Sequence, residues 1–286
     1  MKYYALLFVS IAAFVFITPF SYRLLPEGLR NDGMNPETAE TAEEAPPLPL
    51  TEDEDDETEE KVCYLLSALL PEDTPAEALK AMAVVLRTNE KAGNGVSASP
   101  CAVPESVRDA VYATRGVVAE YDGELIDAVY HIASKTMTES AADAYGYDVP
   151  YLVSVPTPED ADDFSSCASF TADEFARLLE SNGVTVYDSV RHKSWLTYVS
   201  RTPADRIKRV FICGTELSGK EFSRILGFDS TCVTVETTDK GFVFTSYGNG
   251  DGVGLSVRGA IKMAQNGGKY DEMIAHYYPG VTTAKK

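Results

Sequence analysis

Between Asp32 and Glu60, in "DGMNPETAETAEEAPPLPLTEDEDDETEE", the chain carries thirteen acids and no base. Such a run repels itself and holds too little apolar surface to offset the entropy of ordering it, which predicts a solvated linker over 24–60. Folding is thereby confined to residues 61–286. The formal net charge of −19 is misleading as a whole-molecule figure, because setting those thirteen acids aside leaves 31 acids against 25 bases. The remaining balance excludes the basic surface of a nucleic-acid binder.

The stretch before the linker, "MKYYALLFVSIAAFVFITPFSYRLL", is apolar from Tyr4 to Phe20. At about 1.5 Å per residue it is just long enough to cross a bilayer with help from its flanks. No small-residue cleavage site follows it, so an uncleaved anchor over 1–23 is favoured over a removable signal peptide. The expected localisation is a single-pass cell-membrane protein with its C-terminal domain outside the cytoplasm. Five scattered cysteines, without a C-x-x-C pair, advertise neither a zinc site nor a dense disulfide framework; one or two bridges at most are expected.

Residues 61–286 mix helical and strand patterns without regular alternation, which predicts a single α+β domain. "KVCYLLSALL" places Val62, Leu65, Leu66 and Leu69 on one stripe, a helix that Pro71 stops. A second helix follows in "TPAEALKAMAVVLRTNEKAG", with Thr74 and Glu77 spaced for a capping box. Thr171 with Glu174 and Ser218 with Glu221 open two further short helices. Asp122-Gly123, inside "RGVVAEYDGELIDAVYHIA", predicts a hairpin with a strand on either side. "RIKRVFICG" and "CVTVETTDKGFVFTSYG" read as strands, and two helices split at Gly267-Gly268 end the chain.

The densest glycine segment is "YGNGDGVGLSVRGA", Tyr247 to Ala260. A dinucleotide fingerprint needs glycines at i, i+2 and i+5, and every register here meets a valine or leucine at the third place. No Lys-Ser or Lys-Thr follows, so the phosphate loop fails too, and Asp251 is the lone acid where a calcium loop needs several. From the residues alone a tight turn and the wall of a binding groove both remain open.

Four segments in order carry a resemblance. "EALKAMAVVLRTN" (77–89) resembles the "EALKAQAVAARTY" helix of the stage II sporulation protein D / amidase-enhancer family, and "DAYGYDVPYLVSV" (143–155) resembles its "DVWGGDVPYLRSV". "GDGVGLSVRGAIKMA" (250–264) is similar to its "GHGVGMSQWGAKGMA", and "MIAHYYPGV" (273–281) to "ILKHYYPGT". The resemblance implies an α+β domain of the sporulation protein D type that acts on peptidoglycan glycan strands as a lytic transglycosylase, with no cofactor and no metal. The partners it implies are a cell-wall amidase and other membrane-anchored sporulation proteins. On this view Gly250, Gly252, Gly254 and Ser256 form a wall of the glycan groove, and Arg87 and His131 line it. Tyr145, Tyr151 and Trp195 are candidates to stack on sugar rings.

The departures fall on the chemistry. The family sets its catalytic Glu two residues before a proline, and here that position is Leu69, which has no proton to give. Glu72 lies just past Pro71, and Asp251 replaces the histidine of the family's glycine loop; these two are the candidate acids. His131 lacks the neighbouring cysteine that zinc-binding relatives provide. Two expectations follow: a catalytically impaired glycan-binding protein that works with a partner hydrolase, or an active transglycosylase using Asp251 or Glu72.

Overall fold

The computed structural model describes residues 52–158, 164–187 and 190–286. The anchor expected over 1–23 and most of the linker lie outside these residues. Within them no helix is long and apolar enough to cross a membrane. The described chain is mixed helix and strand, as the patterns predict.

The acidic run does not stay a linker to its end. Helix α1 spans Glu52–Leu69, nine residues further back than the apolar stripe alone requires. Its carboxylates find bases on other elements: Glu59 meets Arg87, Asp56 meets Arg115, and neighbouring Lys61 meets Glu90. These long-range partners offset the self-repulsion that the local composition predicts.

Helix α2 (Ala76–Lys91) is the axis of the larger core, buried from Ala81 through Thr88. It packs against α1, α3 (Glu105–Ala113), α7 (Val257–Gln265), α8 (Tyr270–Tyr277) and strand β1 (Val117–Tyr121). The capping box expected at its start does not form. Thr74 Oγ1 donates to Pro71 O (2.7 Å), closing the preceding turn, and Glu77 accepts from Tyr270 N–H (3.1 Å) at the start of α8. Tertiary demand has taken both members of the box.

The hairpin forms at the expected turn, with Asp122 and Gly123 both at positive φ and β1 paired antiparallel to β2 (Glu124–Leu125). β1 is flanked on its other side by β11 (Thr282–Lys285). The second strand breaks early because Asn89 on α2 captures both backbone groups of Ala128, at 2.9 and 3.0 Å. The chain resumes as β3 (Tyr130–His131), which pairs parallel with β10 (Leu255–Ser256).

A second core is aromatic. Phe175, Phe222, Phe242, Phe244 and Trp195 pack between two three-stranded sheets and helices α5 (Ala172–Ser181) and α6 (Gly219–Leu226). One sheet runs β4 (Ser165–Thr171), β9 (Gly241–Tyr247), β8 (Val233–Thr237); the other runs β5 (Leu196–Arg201), β6 (Ile207–Ile212), β7 (Thr215–Ser218). Both helices carry the expected capping boxes. Trp195 stacks on Phe242 (ring centroids 5.9 Å) with 6% of its surface exposed, so it is a core residue and offers no face to a sugar. All five cysteines are free, Cys63 and Cys232 buried and Cys101 exposed.

Candidate functional site

The glycine-rich segment joins the two cores. β9 leaves the aromatic core at Tyr247, and the chain returns to the larger core through Gly248, Gly250, Gly252 and Gly254, all at positive φ. Backbone bonds tie it down on both sides: Asn249 N–H to Ala133 O (2.8 Å), Gly250 N–H to Asp229 O (3.1 Å), and Glu139 N–H to Gly252 O (2.7 Å). A Cβ on Gly250 would lie 2.9 Å from that of His131, and one on Gly254 would overlap the Val129 carbonyl. The glycines therefore admit the protein's own 129–134 segment and the Arg206 guanidinium, and the expected approach of a sugar strand is not what requires them. Gly254→Ala, with positive φ and backbone overlap combined, is expected to destabilise by about 2 kcal/mol in denaturant unfolding.

Arg206, which no local pattern singled out, plugs the centre of this junction. It is 2% exposed and donates from Nη1 to Gly250 O (3.0 Å) and Ser230 Oγ (3.3 Å). Glu139, also missed, is equally buried; Thr202 Oγ1 from the β5–β6 turn donates to it at 2.5 Å and Ser140 N–H at 3.0 Å. Burial raises the Glu139 carboxyl, against those two bonds and the Arg206 charge, which lower it. Lys135 with Asp205 (3.0 Å) makes a second tie from the β5–β6 turn to the 131–139 segment, beside Thr202 with Glu139.

His131 is buried on β3. Its Nδ1 faces the Val253 carbonyl (3.1 Å), which can only accept, so Nδ1 carries the proton. Nε2 then accepts from the Ser134 hydroxyl at 2.6 Å. Burial, helped by the nearby Arg206 charge, pushes the imidazole down to about 4, so it stays neutral near pH 7. Both ring nitrogens face protein partners, which makes His131 a brace beneath the loop.

Asp251 is half-buried at the loop surface. Tyr145, at the end of α4 (Ala141–Tyr145), donates its hydroxyl to Asp251 Oδ2 at 2.6 Å, and Val253 N–H donates to Oδ1 at 3.0 Å. Burial, then the Asp251 charge, drive the Tyr145 phenol well up. Lys220 lies over the Tyr145 ring, 5.6 Å from its centroid, and Lys208 pairs with Asp143 on the same helix (2.9 Å).

The expected site residues separate into two groups. Gly250, Gly252, Gly254, His131, Ser256 and Asp251 come together, and Tyr145 joins them. Ser256 serves as the N-cap of α7, accepting from Gly259 N–H at 3.2 Å while fully buried. Arg87 does not line a groove. Its guanidinium is fully buried and clamped by both Glu59 oxygens (2.8 and 2.6 Å) and by the Val111 and Val117 carbonyls. Leu69 is partly buried against the larger core at the end of α1. Glu72 is exposed on the turn after it and makes no hydrogen bond or ion pair among the described residues. Among those residues no three histidine, cysteine or carboxylate side chains converge to hold a metal ion.

No family model matches the chain. It is 30% identical over 178 residues to stage II sporulation protein D of Bacillus subtilis (strain 168), covering 62% of this chain and 50% of that protein. The Bacillus amyloliquefaciens stage II sporulation protein D is 29% identical over 181 residues, with the same coverage. Amidase enhancer of Bacillus subtilis (strain 168) is 24% identical over 290 residues, covering 76% of this chain and 40% of the relative. The chain thus spans about half the length of the curated relatives it matches.

Proposed function

We propose that this chain, a divergent relative of stage II sporulation protein D and of amidase enhancer, is a cell-wall remodelling protein that holds peptidoglycan glycan strands for a partner hydrolase and does not cut them itself. The proposal places its folded part outside the cytoplasm, tethered by the apolar N-terminal run. The observation that carries it is Leu69: a hydrocarbon packed on the core stands where the family's acid is expected. General acid catalysis is worth about 10²- to 10⁴-fold, and a leucine forfeits it. Neither candidate substitute is prepared for the task. Asp251 uses its carboxylate to accept from Tyr145 and Val253, and Glu72 is solvated with nothing to orient it. The amidase-enhancer relative supplies the class of partner.

Incubating the full chain with purified sacculi, alone and with a cell-wall amidase, tests the reading. Co-sedimentation, faster amidase release and no 1,6-anhydro sugars by mass spectrometry are expected. Anhydro products that disappear in Asp251→Asn or Glu72→Gln would overturn it in favour of an active transglycosylase.

A further inference from the structure

Beside the first loop glycines, three stretches of chain meet around a cleft of about 180 Å³: the start of β4, the turn after α6, and the end of β9. Backbone bonds fix it. Gly248 N–H donates to Phe164 O (2.7 Å), Gly250 N–H to Asp229 O (3.1 Å) and Phe228 N–H to Ser223 O (2.9 Å). Ser166 stands directly across from Ser246 in the β4–β9 ladder, so the two side chains share a face. Ser246 is buried, and its hydroxyl makes one long bond to Ser230 O (3.4 Å). The apolar walls are Phe228, packed on the aromatic core, and Phe164, which belongs to neither core. The Arg258 guanidinium lies over the Phe164 ring, 4.8 Å from its centroid, and holds that wall in place.

Three polar side chains of the cleft are left over. The Asp229 carboxylate, the Asn249 carboxamide and the Ser166 hydroxyl make no hydrogen bond or ion pair among the described residues. Elsewhere along the loop Asp251, His131 and Glu139 are all bonded to protein. The Asn249 backbone is bonded in both directions to Ala133, at 2.8 and 3.2 Å, so its carboxamide is presented from a fixed point. No lysine or arginine lines the cleft, which therefore offers an anion no counter-charge. Asp229 only accepts, whereas Asn249 and Ser166 both donate and accept, a set that suits a ligand rich in hydroxyl and amide groups. The volume falls below the about 300–1,000 Å³ of sites that enclose a whole small molecule, so the cleft takes one unit of a longer ligand.

We propose that this cleft seats one N-acetylated pyranose ring of a glycan strand. The ring's hydroxyls donate to Asp229, and its acetamido group exchanges hydrogen bonds with the Asn249 carboxamide and the Ser166 hydroxyl. Its C–H surface lies on the phenylalanine walls. Asp229 turns away the carboxylates of a stem peptide by like charge. The inference rests on the strand-holding reading above and refines it. It moves the hold to Ser166, Asp229 and Asn249, none of them a position that the family resemblance singles out, and it names an uncharged ring as what is held.

Calorimetric titration of the full chain with three probes tests this: a β-1,4-linked tetramer of N-acetylglucosamine, the same tetramer of glucose, and an acidic peptide. The acetylated tetramer is expected to bind about tenfold tighter than the glucose one, the worth of one or two neutral hydrogen bonds, and the peptide not at all. Asp229→Ala should weaken the acetylated tetramer about tenfold, and Asn249→Ala should bring the two tetramers to about equal affinity. Ser166→Trp fills the cleft from an exposed strand position and should abolish binding. All three variants keep the backbone bonds of the cleft, so none should lower the melting temperature. Equal affinity of the unaltered chain for the two tetramers, full binding by Asp229→Ala or Ser166→Trp, binding of the peptide in place of the sugars, or no binding of any probe overturns the proposal. Sacculi provide the separate readout. A chain that sediments with sacculi but ignores both tetramers sinks this cleft alone; one that binds the acetylated tetramer through Asp229 but never sediments sinks the strand-holding reading alone.

Discussion

Glu59→Ala is expected to destabilise the protein by about 3–5 kcal/mol, the largest effect of any single substitution outside the hydrocarbon core. The Glu59 carboxylate is 2% exposed and Arg87 not at all, with the two joined at 2.6 and 2.8 Å. Glu59 Oε1 also accepts from Gly116 N–H (3.1 Å), so the alanine variant strands a guanidinium and an amide away from water. Urea unfolding of Glu59→Ala, Arg87→Met and the double variant measures this. The double variant should recover much of the loss, because it removes the buried charge along with its partner. Additive losses would mean that the pair is not coupled. The same bond sets the start of the folded unit. A chain begun at Lys61, where the apolar stripe alone places the boundary, lacks Glu59 and should unfold as readily as the alanine variant.

Lowering the pH from 7.5 to about 4 should remove a further contribution of about 3 kcal/mol that belongs to His131. The sign follows from proton uptake. The unfolded imidazole takes its proton near 6.5, whereas the folded one resists until about 4, so the unfolded chain binds more protons in between. The stabilisation is complete above 6.5 and is lost as the pH falls through the folded value. Denaturant unfolding at pH 7.5 and 4.5 checks it against His131→Asn, whose amide can still donate to Val253 O. The variant should be the less stable at pH 7.5 and should lose less on acidification. Equal losses in both proteins would assign the acid response to the carboxylates. The consequence reaches the surface of the loop: a charged His131 would make Nε2 a donor, so that the Ser134 hydroxyl has to turn and accept, and would set its charge against the neighbouring Arg206, beneath the Val253 carbonyl whose own N–H holds Asp251.

These two predictions concern residues that local pattern reads differently from the fold. Arg87 sits in a family-like helix where a groove role is a natural expectation, yet its partner is 28 residues away in a run whose composition argues against any structure. Glu139 and Thr202 meet across 63 positions, and Arg206 reaches Gly250 across 44. Nothing within a helical turn of any of them marks the contact. Tyr145 and Asp251 were each visible as candidates, but only the fold places them 2.6 Å apart.

The amino-acid order by itself determined the features whose energetics close within a few residues. The capping boxes at Thr171 and Ser218 form because each side chain meets a backbone group three positions on. The Asp122-Gly123 turn and the four left-handed loop glycines follow from which residues tolerate positive φ. Tertiary structure alone decided where α1 begins, why Thr74 fails to cap α2, and which polar groups stay buried. Those outcomes depend on charges and donors brought together by packing, where a low dielectric magnifies each pairing and each vacancy, and such distances are written nowhere in a linear string.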